Sequence, residues 1–234
     1  YGAQAAFGLA GAVTAAGLAF TVLPGGRDGT PIAPPDQRVR VVPSLWRHRR
    51  RLVRAGLGPL LIMAARRGRY VVVPLIGDEL ALSGAAIGAL VAVGTTADFL
   101  LFPVSGDVMD RWGRLLSMVP AFSLMAVGLL LLGLADTVTQ AVVAGVIMGI
   151  GNGMSAGTML TLSTDLAPRD EPGPFFAGFH TITGIGSFVG PLLVGWVADA
   201  IGLGASAIAL AVTLAVGVVW IALAVGETAT RSEP

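Results

Sequence analysis

Cysteine and lysine are absent from this sequence of 234 residues, and charged residues of any kind are scarce. Without cysteine the chain has no thiol nucleophile, no thiolate metal ligand and no disulfide. Charged residues make up 12% of the chain, about half of what a soluble domain carries. The net charge of +1 gives no reason to expect nucleic acid as a partner.

Hydrophobic residues, at 54% of the chain, are concentrated in long runs, which indicates an all-α integral membrane protein rather than a soluble domain. Each run is about long enough to cross a bilayer as a helix. We therefore predict seven transmembrane helices, at residues 3–23, 55–75, 84–104, 115–134, 140–162, 176–197 and 204–225.

Arginine is distributed unevenly over the connections between these runs. Twelve arginines lie in the connections that begin at residues 24, 105 and 163 and in the C-terminal tail. The alternate connections, at 77–83, 135–139 and 199–203, carry none. Because basic residues accumulate on the cytoplasmic side, we expect the first set and the C-terminus in the cytoplasm and Tyr1 outside.

A short charged turn joins the third and fourth runs, and five of its residues are notable: Gly106, Asp110, Arg111, Gly113 and Arg114. Gly106 lacks side-chain bulk where the helices come together, and Gly113 tolerates backbone shapes that other residues resist. Asp110 is placed to meet unpaired N–H groups of the next helix. Both arginines can pair with carboxylates or lipid phosphates. Asp165, Asp170 and Glu171 are their expected partners in a gate.

This turn resembles the signature of the major facilitator superfamily, Gly-x-x-x-Asp-Arg-x-Gly-Arg, which recurs between the second and third helices of each half of those transporters. The family usually has one more basic residue after the last arginine, and here Leu115 stands in its place. Weaker likenesses follow at residues 149–153, 165–168, 190–191 and 195–199.

The resemblance covers nearly the whole chain and implies a division into four parts. Residues 1–24 would be the last helix of an absent N-terminal half, and 25–54 the central cytoplasmic loop. Residues 55–226 would form the C-terminal six-helix bundle, and 227–234 a cytoplasmic tail. The chain is thus expected to be truncated at its N-terminus and to need the missing half.

Three arginines, Arg66, Arg67 and Arg69, lie near the middle of the second run, where a charge is costly. Arg66 and Arg69 are three residues apart and share a helix face, whereas Arg67 points elsewhere. One interpretation is that Arg66 or Arg69 lines a water-filled cavity and contacts an anionic substrate group or a carboxylate. The alternative is that the helix breaks near Gly68 and the arginines have structural roles.

Asp98, on the third run, is the expected partner of Arg66 because their depths in the membrane are similar. If Asp98 faces the cavity alone, it is instead a site that takes up and releases a proton. Asn152, in the fifth run, is a candidate to hydrogen-bond a substrate or a neighbouring helix. The same run carries small residues at every fourth position, which predicts close helix packing: Gly145, Gly149, Gly153 and Gly157.

The leading functional hypothesis is a secondary active transporter that works by alternating access in the cell (plasma or inner) membrane. The resemblance adds proton-coupled efflux of a small molecule, as in drug and metabolite exporters. The expected partners are thus a small-molecule substrate, the lipid bilayer and protons. The runner-up is an uptake permease for a sugar or an organic anion, which the arginines in the membrane favour.

A seven-helix receptor or light-driven pump is a further alternative. A retinal pump needs a lysine in a helix, which this chain lacks, and a receptor does not explain the charged turn. An enzyme is not expected, because the chain has two histidines, no cysteine and no cluster with metal-ligand spacing. We expect no cofactor and no metal site.

Overall fold

The computed structural model describes residues 41–168 and 172–225. The predicted first helix, at 3–23, and the predicted tail, at 227–234, lie outside these residues. The described ranges are helical and contain no β-strand. Their helices are α1 (Val41–Arg47), α2 (Arg49–Glu79), α3 (Gly84–Trp112), α4 (Arg114–Gly133), α5 (Val138–Met154), α6 (Thr158–Leu166), α7 (Pro172–Ile201) and α8 (Leu203–Trp220), which continues as a π-helical turn (Ile221–Val225).

Local sequence signals explain where several helices begin. The Ser83 hydroxyl caps α3 by accepting a hydrogen bond from the N–H of Ala86 at 3.3 Å. Thr137 and Gln140 cap α5 reciprocally, each side chain accepting from the backbone N–H of the other. Gly113 separates α3 from α4 with a φ of 91°. The predicted use of Gly113 for an unusual backbone shape is confirmed.

Five helices or helix pairs are long and apolar enough to span a membrane. They are Gly84–Met109, Arg114–Gly133, Val138–Leu166, Pro172–Ile201 and Leu203–Val225. α2 has 31 residues, but the three arginines at its middle interrupt its apolar run. The predicted all-α, multi-pass membrane fold is confirmed over the described residues.

The helices pack in a definite order around a buried apolar core. α2 packs against α7 and α8, α4 packs against α5 and α8, and α3 packs mainly against α5. Ile62, Phe122, Met125 and Leu210 are at most 1% exposed at the centre of this packing. α3 is the least buried of the membrane-length helices, so most of its apolar surface faces away from the other described helices.

Glycines allow two pairs of helices to approach backbone to backbone. A Cβ at Gly186 or Gly190 of α7 would overlap the carbonyl oxygen of Leu60 or Ala64 on α2. A Cβ at Gly149 of α5 would likewise overlap the backbone of α3. The predicted packing role of the glycine ridge is therefore confirmed for its central part.

The predicted single helix at 140–162 is wrong, because the chain breaks at residues 155–157 between α5 and α6. Gly157 has a φ of +76°, which ends the ridge and redirects the chain. The buried Ser105 of α3 donates a hydrogen bond at 2.6 Å to the carbonyl of Ala156, which the break leaves without a helical partner. The proposed break near Gly68 is also wrong, since α2 is continuous there.

Candidate functional site

One carboxylate oxygen joins three helices in the interior of the bundle. Oδ2 of Asp98, on α3, lies 3.8 Å from a guanidinium nitrogen of Arg69 on α2. The same oxygen accepts a hydrogen bond at 2.5 Å from Nδ2 of Asn152 on α5. The side chains of Arg69 and Asp98 are only 8% and 19% exposed, so the ion pair is shielded from solvent.

The glycine ridge of α5 sets the position of the amide. Gly149 and Gly153 flank Asn152 on α5 and face the backbone of Gly94 and Asp98 on α3. A methyl group at Gly153 would overlap the carbonyl oxygen of Asp98. Without these glycines the helices would move apart, and Asn152 would no longer reach the carboxylate.

A tyrosine orients the guanidinium of Arg69. A terminal nitrogen of Arg69 donates to the hydroxyl of Tyr70 at 3.1 Å. The guanidinium carbon also lies 4.8 Å from the centre of the Tyr70 ring, in cation–π range. Tyr70 therefore holds Arg69 where it meets both Asp98 and the adjoining cavity. Sequence analysis missed Tyr70, although an aromatic residue directly after a membrane arginine is a signal that could have found it.

The predicted pairing of Asp98 with Arg66 is corrected by the structure. Within the described residues, the ion pair of Asp98 is with Arg69. Arg66 is half-buried, and Arg67 is exposed. Arg66 and Arg69 share a helix face, so the difference between them is one of position along the helix: they are about 4.5 Å apart along its axis, and Arg69 is the one that reaches the carboxylate.

The cluster retains an unused acceptor. Oδ1 of Asn152 is buried and has no hydrogen-bond partner among the described residues. An orphaned buried amide oxygen is costly, so it calls for a donor from a water molecule or a ligand. Asn152 can thus hold Asp98 with its nitrogen while its oxygen receives another group.

A small half-open cavity of about 70 Å³ adjoins the ion pair. Arg69 and Tyr70 line one end of it, and the remaining wall is mostly apolar, including Val73, Leu90 and Met148. It lies between α2, α3 and α5. Its apolar wall and few convergent polar groups resemble the lining of small-molecule sites, but such sites are larger, at about 300–1,000 Å³.

The predicted charged turn at 106–114 is mostly helical: residues 106–112 form the last turns of α3, and Gly113 alone separates α3 from α4. Arg114, the last residue of this charged stretch, ties it to α6. Nε of Arg114 donates to Oδ2 of Asp165 at 3.1 Å, which is one of the expected pairings. Arg111 is exposed. Gly106 does not have its expected packing role, because a Cβ there would meet open space within the described residues. The side chain of Asp110 and the residues Asp170 and Glu171 lie outside the described part of the structure.

These features define a multi-pass helical membrane protein with a charged cluster and a cavity between its helices. A profile described as Major Facilitator Superfamily matches residues 55–234. The chain therefore belongs to this family.

Similar proteins carry transporter names, which agrees with the predicted class of transporter rather than enzyme. An MFS-type transporter of Mycobacterium tuberculosis is 28% identical over 59% of this chain and 20% of its own length. The triacylglyceride transporter of Mycobacteroides abscessus is 27% identical over 62% of the chain and 29% of its own length. Multidrug resistance protein 3 of Bacillus subtilis is 30% identical over 42% of the chain and 19% of its own length. The chain thus spans less than a third of the length of these relatives.

The fold also matches solved structures. The crystal structure of the human organic anion transporter MFSD10 superposes with a TM-score of 0.58 and 16% sequence identity. The match covers 78% of this chain and 49% of the human one. At this identity the likeness supports the fold and does not extend to the substrate.

Proposed function

We propose that the chain forms the C-terminal half of a secondary active transporter that exports a small molecule by alternating access, coupled to protons. The observation that carries this proposal is the carboxylate of Asp98, shared by Arg69 and Asn152 beside a cavity. A shielded carboxylate that three helices hold together is suited to couple a chemical event to a movement of those helices.

The coupling follows from charge. While Asp98 is ionised, it attracts Arg69 and keeps α2 against α3, which otherwise make few contacts with each other. A proton on Asp98 removes that attraction and leaves Arg69 free to interact with a group in the cavity. Binding of substrate and binding of a proton thus favour different arrangements of the same helices.

The proposed transporter needs a second half. The chain covers 49% of the superposed human transporter, and α3 leaves most of its apolar surface uncovered. We propose that a six-helix N-terminal half packs there and that the segment 25–54, which includes α1 and the start of α2, joins the two halves. We also propose that the arginine-rich connections and the C-terminus lie in the cytoplasm of a cell-membrane protein.

An organic-anion transporter is the second candidate. Arg69 lines the cavity and brings a positive charge to its otherwise apolar wall. A carboxylate or sulfonate on the substrate would compete with Asp98 for this guanidinium. In that case Arg69 binds the substrate and Asp98 acts as its counter-ion.

The test is a flux measurement in inside-out membrane vesicles from cells that produce the chain together with its proposed N-terminal half. Nile red serves as the neutral apolar probe and carboxyfluorescein as the anionic probe, each with a proton gradient and after its collapse by nigericin. Matched variants are Asp98→Asn, which cannot ionise, and Arg67→Gln, which removes a nearby exposed arginine.

Gradient-driven Nile red uptake that is lost in D98N and kept in R67Q supports the exporter. Uptake of carboxyfluorescein alone, lost in Arg69→Gln, favours the organic-anion transporter. Movement of neither probe contradicts both proposed substrate classes. Equal activity in D98N and the unmodified protein contradicts the proposed role of Asp98.

A further inference from the structure

A cluster of arginines at the start of α2 has no acidic counterpart among the described residues. Arg49, Arg50, Arg51 and Arg54 are exposed and make no ion pair among the described residues. The sequence itself contains no acidic residue between Asp36 and Asp78. Four positive charges in less than two turns repel one another, so they favour a bound anion.

Three of these arginines border an open groove of about 530 Å³ between the first turns of α2 and the end of α8. Its lining consists of Arg49, Arg50, Val53, Arg54, Trp220 and Ala224. The guanidinium groups supply the polar part, whereas Val53, Trp220 and Ala224 supply an apolar wall. The groove therefore offers both a cationic and an apolar surface to a single ligand.

Two hydrogen bonds hold the groove together. Nε of Arg54 donates to the carbonyl of Ala224 at 2.6 Å, and Nε1 of Trp220 donates to the carbonyl of Arg54 at 3.0 Å. The π-helical turn, Ile221–Val225, presents the Ala224 carbonyl sideways to Arg54. Arg54 has further N–H donors that these bonds leave available.

A second tryptophan places the groove at a membrane surface. Trp46 is 64% exposed, and the guanidinium carbon of Arg49 lies 5.4 Å from the centre of its ring. Tryptophan and arginine together are typical of the boundary between lipid headgroups and acyl chains. A ligand in the groove would have its polar part among the arginines and its apolar part against α2 and α8.

We propose that this groove binds an anionic phospholipid, whose phosphate contacts Arg50 and Arg54 and whose acyl chain lies along Val53 and Trp220. The lack of an acidic side chain explains the choice of an anionic headgroup, because a choline or ethanolamine group would find no counter-charge. The apolar wall explains the choice of a lipid over a soluble phosphate. This site is separate from the cluster at Asp98 and does not depend on transport.

The test uses tryptophan fluorescence of the purified protein in detergent. Trp46, Trp112 and Trp196 are replaced by phenylalanine so that Trp220 reports alone. Brominated phosphatidylglycerol, which is anionic, and brominated phosphatidylcholine, which is zwitterionic, are titrated as quenchers. We expect tighter apparent binding of the phosphatidylglycerol, and a loss of about fivefold in that preference in Arg50→Gln.

Arg51→Gln is the matched control. Arg51 is on the same turn and carries the same charge, but it borders a different recess, with Ala55 and Leu166. The proposal requires R51Q to keep most of the preference that R50Q loses. Equal quenching by the two lipids, or equal loss in R50Q and R51Q, would overturn it in favour of general surface attraction. Displacement of the lipid by millimolar glycerol 3-phosphate would instead show a soluble phosphate ligand.

Discussion

The carboxylate of Asp98 lies 3.8 Å from the guanidinium of Arg69, and this ion pair joins two helices that otherwise make few contacts with each other. Both side chains are largely shielded, so water compensates poorly for the loss of either one. The hydrogen bond from Asn152 then connects the pair to a third helix. The arrangement of α2, α3 and α5 therefore depends on three side chains.

Removal of one member of this pair should destabilise the protein more than removal of both. We expect Arg69→Gln to lower the free energy of unfolding by roughly 2 kcal/mol, because it leaves Asp98 without its counter-charge in a shielded site. The double variant with Asp98→Asn should recover part of this loss. Denaturant unfolding of the detergent-solubilised protein gives the free energy of unfolding of the unmodified protein, both single variants and the double variant, which together form a double-mutant cycle.

Arg67→Gln is the control for this cycle, since Arg67 is exposed on the same helix. It should change the stability by less than about 0.5 kcal/mol. If the losses of unfolding free energy in R69Q and D98N add up to the loss in the double variant, the two side chains do not interact.

Much of this arrangement is encoded in local patterns. The runs at 115–134 and 204–225 are close to the observed α4 and α8, because uninterrupted apolar residues define helices in a membrane. The run at 84–104 has the observed start of α3, but the helix continues through the charged residues to Trp112. The choice of Asp98 and Asn152 rested on the rarity of polar groups in such runs. Their mutual contact could not be read, since it depends on how each helix is rotated about its axis.

The break at residues 155–157 was hidden for a related reason. Gly157 continues the four-residue spacing of the ridge, so its pattern is that of a packed helix. Its role is decided by Ser105, which is 52 positions earlier in the chain and bonds the carbonyl of Ala156. Single-sequence patterns contain no information on such distant partners.

The glycine ridge should tolerate a methyl group at one position and reject it at the next. A Cβ at Gly149 would overlap the carbonyl oxygen of Gly94, whereas a Cβ at Gly145 has its nearest neighbour at 3.9 Å. We expect Gly149→Ala to cost about 1–3 kcal/mol of stability by overpacking, and Gly145→Ala to be nearly neutral. Thermal melting followed by size-exclusion chromatography measures both. Equal melting temperatures for the two variants would contradict the helix contact.

Two buried serines should respond in opposite ways to the loss of a hydroxyl. Ser105 bonds the Ala156 carbonyl, whereas the hydroxyl of Ser117 is buried with no partner in the described residues. Ser105→Ala should cost about 1–3 kcal/mol, because a carbonyl at the helix break loses its donor. Ser117→Ala should be neutral or stabilising. The two serines are matched in burial, at 1% and 2% exposure, so the unfolding free energies of the two alanine variants can be compared directly.

The ion pair between Arg114 and Asp165 should hold α6 against the charged turn. Both side chains are 22% exposed, so we expect the pair to stabilise this contact by about 1 kcal/mol. Its loss should raise the equilibrium constant for separation of α6 from Arg114 by roughly fivefold. Because the chain has no cysteine, Ser163→Cys, at a position that is 0% exposed, gives a labelling site without background. Arg114→Gln should accelerate the reaction of the cysteine introduced by Ser163→Cys with a maleimide.

The swapped variant, Arg114→Asp with Asp165→Arg, tests whether attraction between these two side chains is the cause. It should return the labelling rate towards that of the unmodified pair, whereas Arg111→Gln, which removes an exposed arginine from the same turn, should leave the rate unchanged. If R111Q accelerates labelling as much as R114Q does, the turn acts through its overall charge. In that case the contact between Arg114 and Asp165 has no role in closing this side of the bundle.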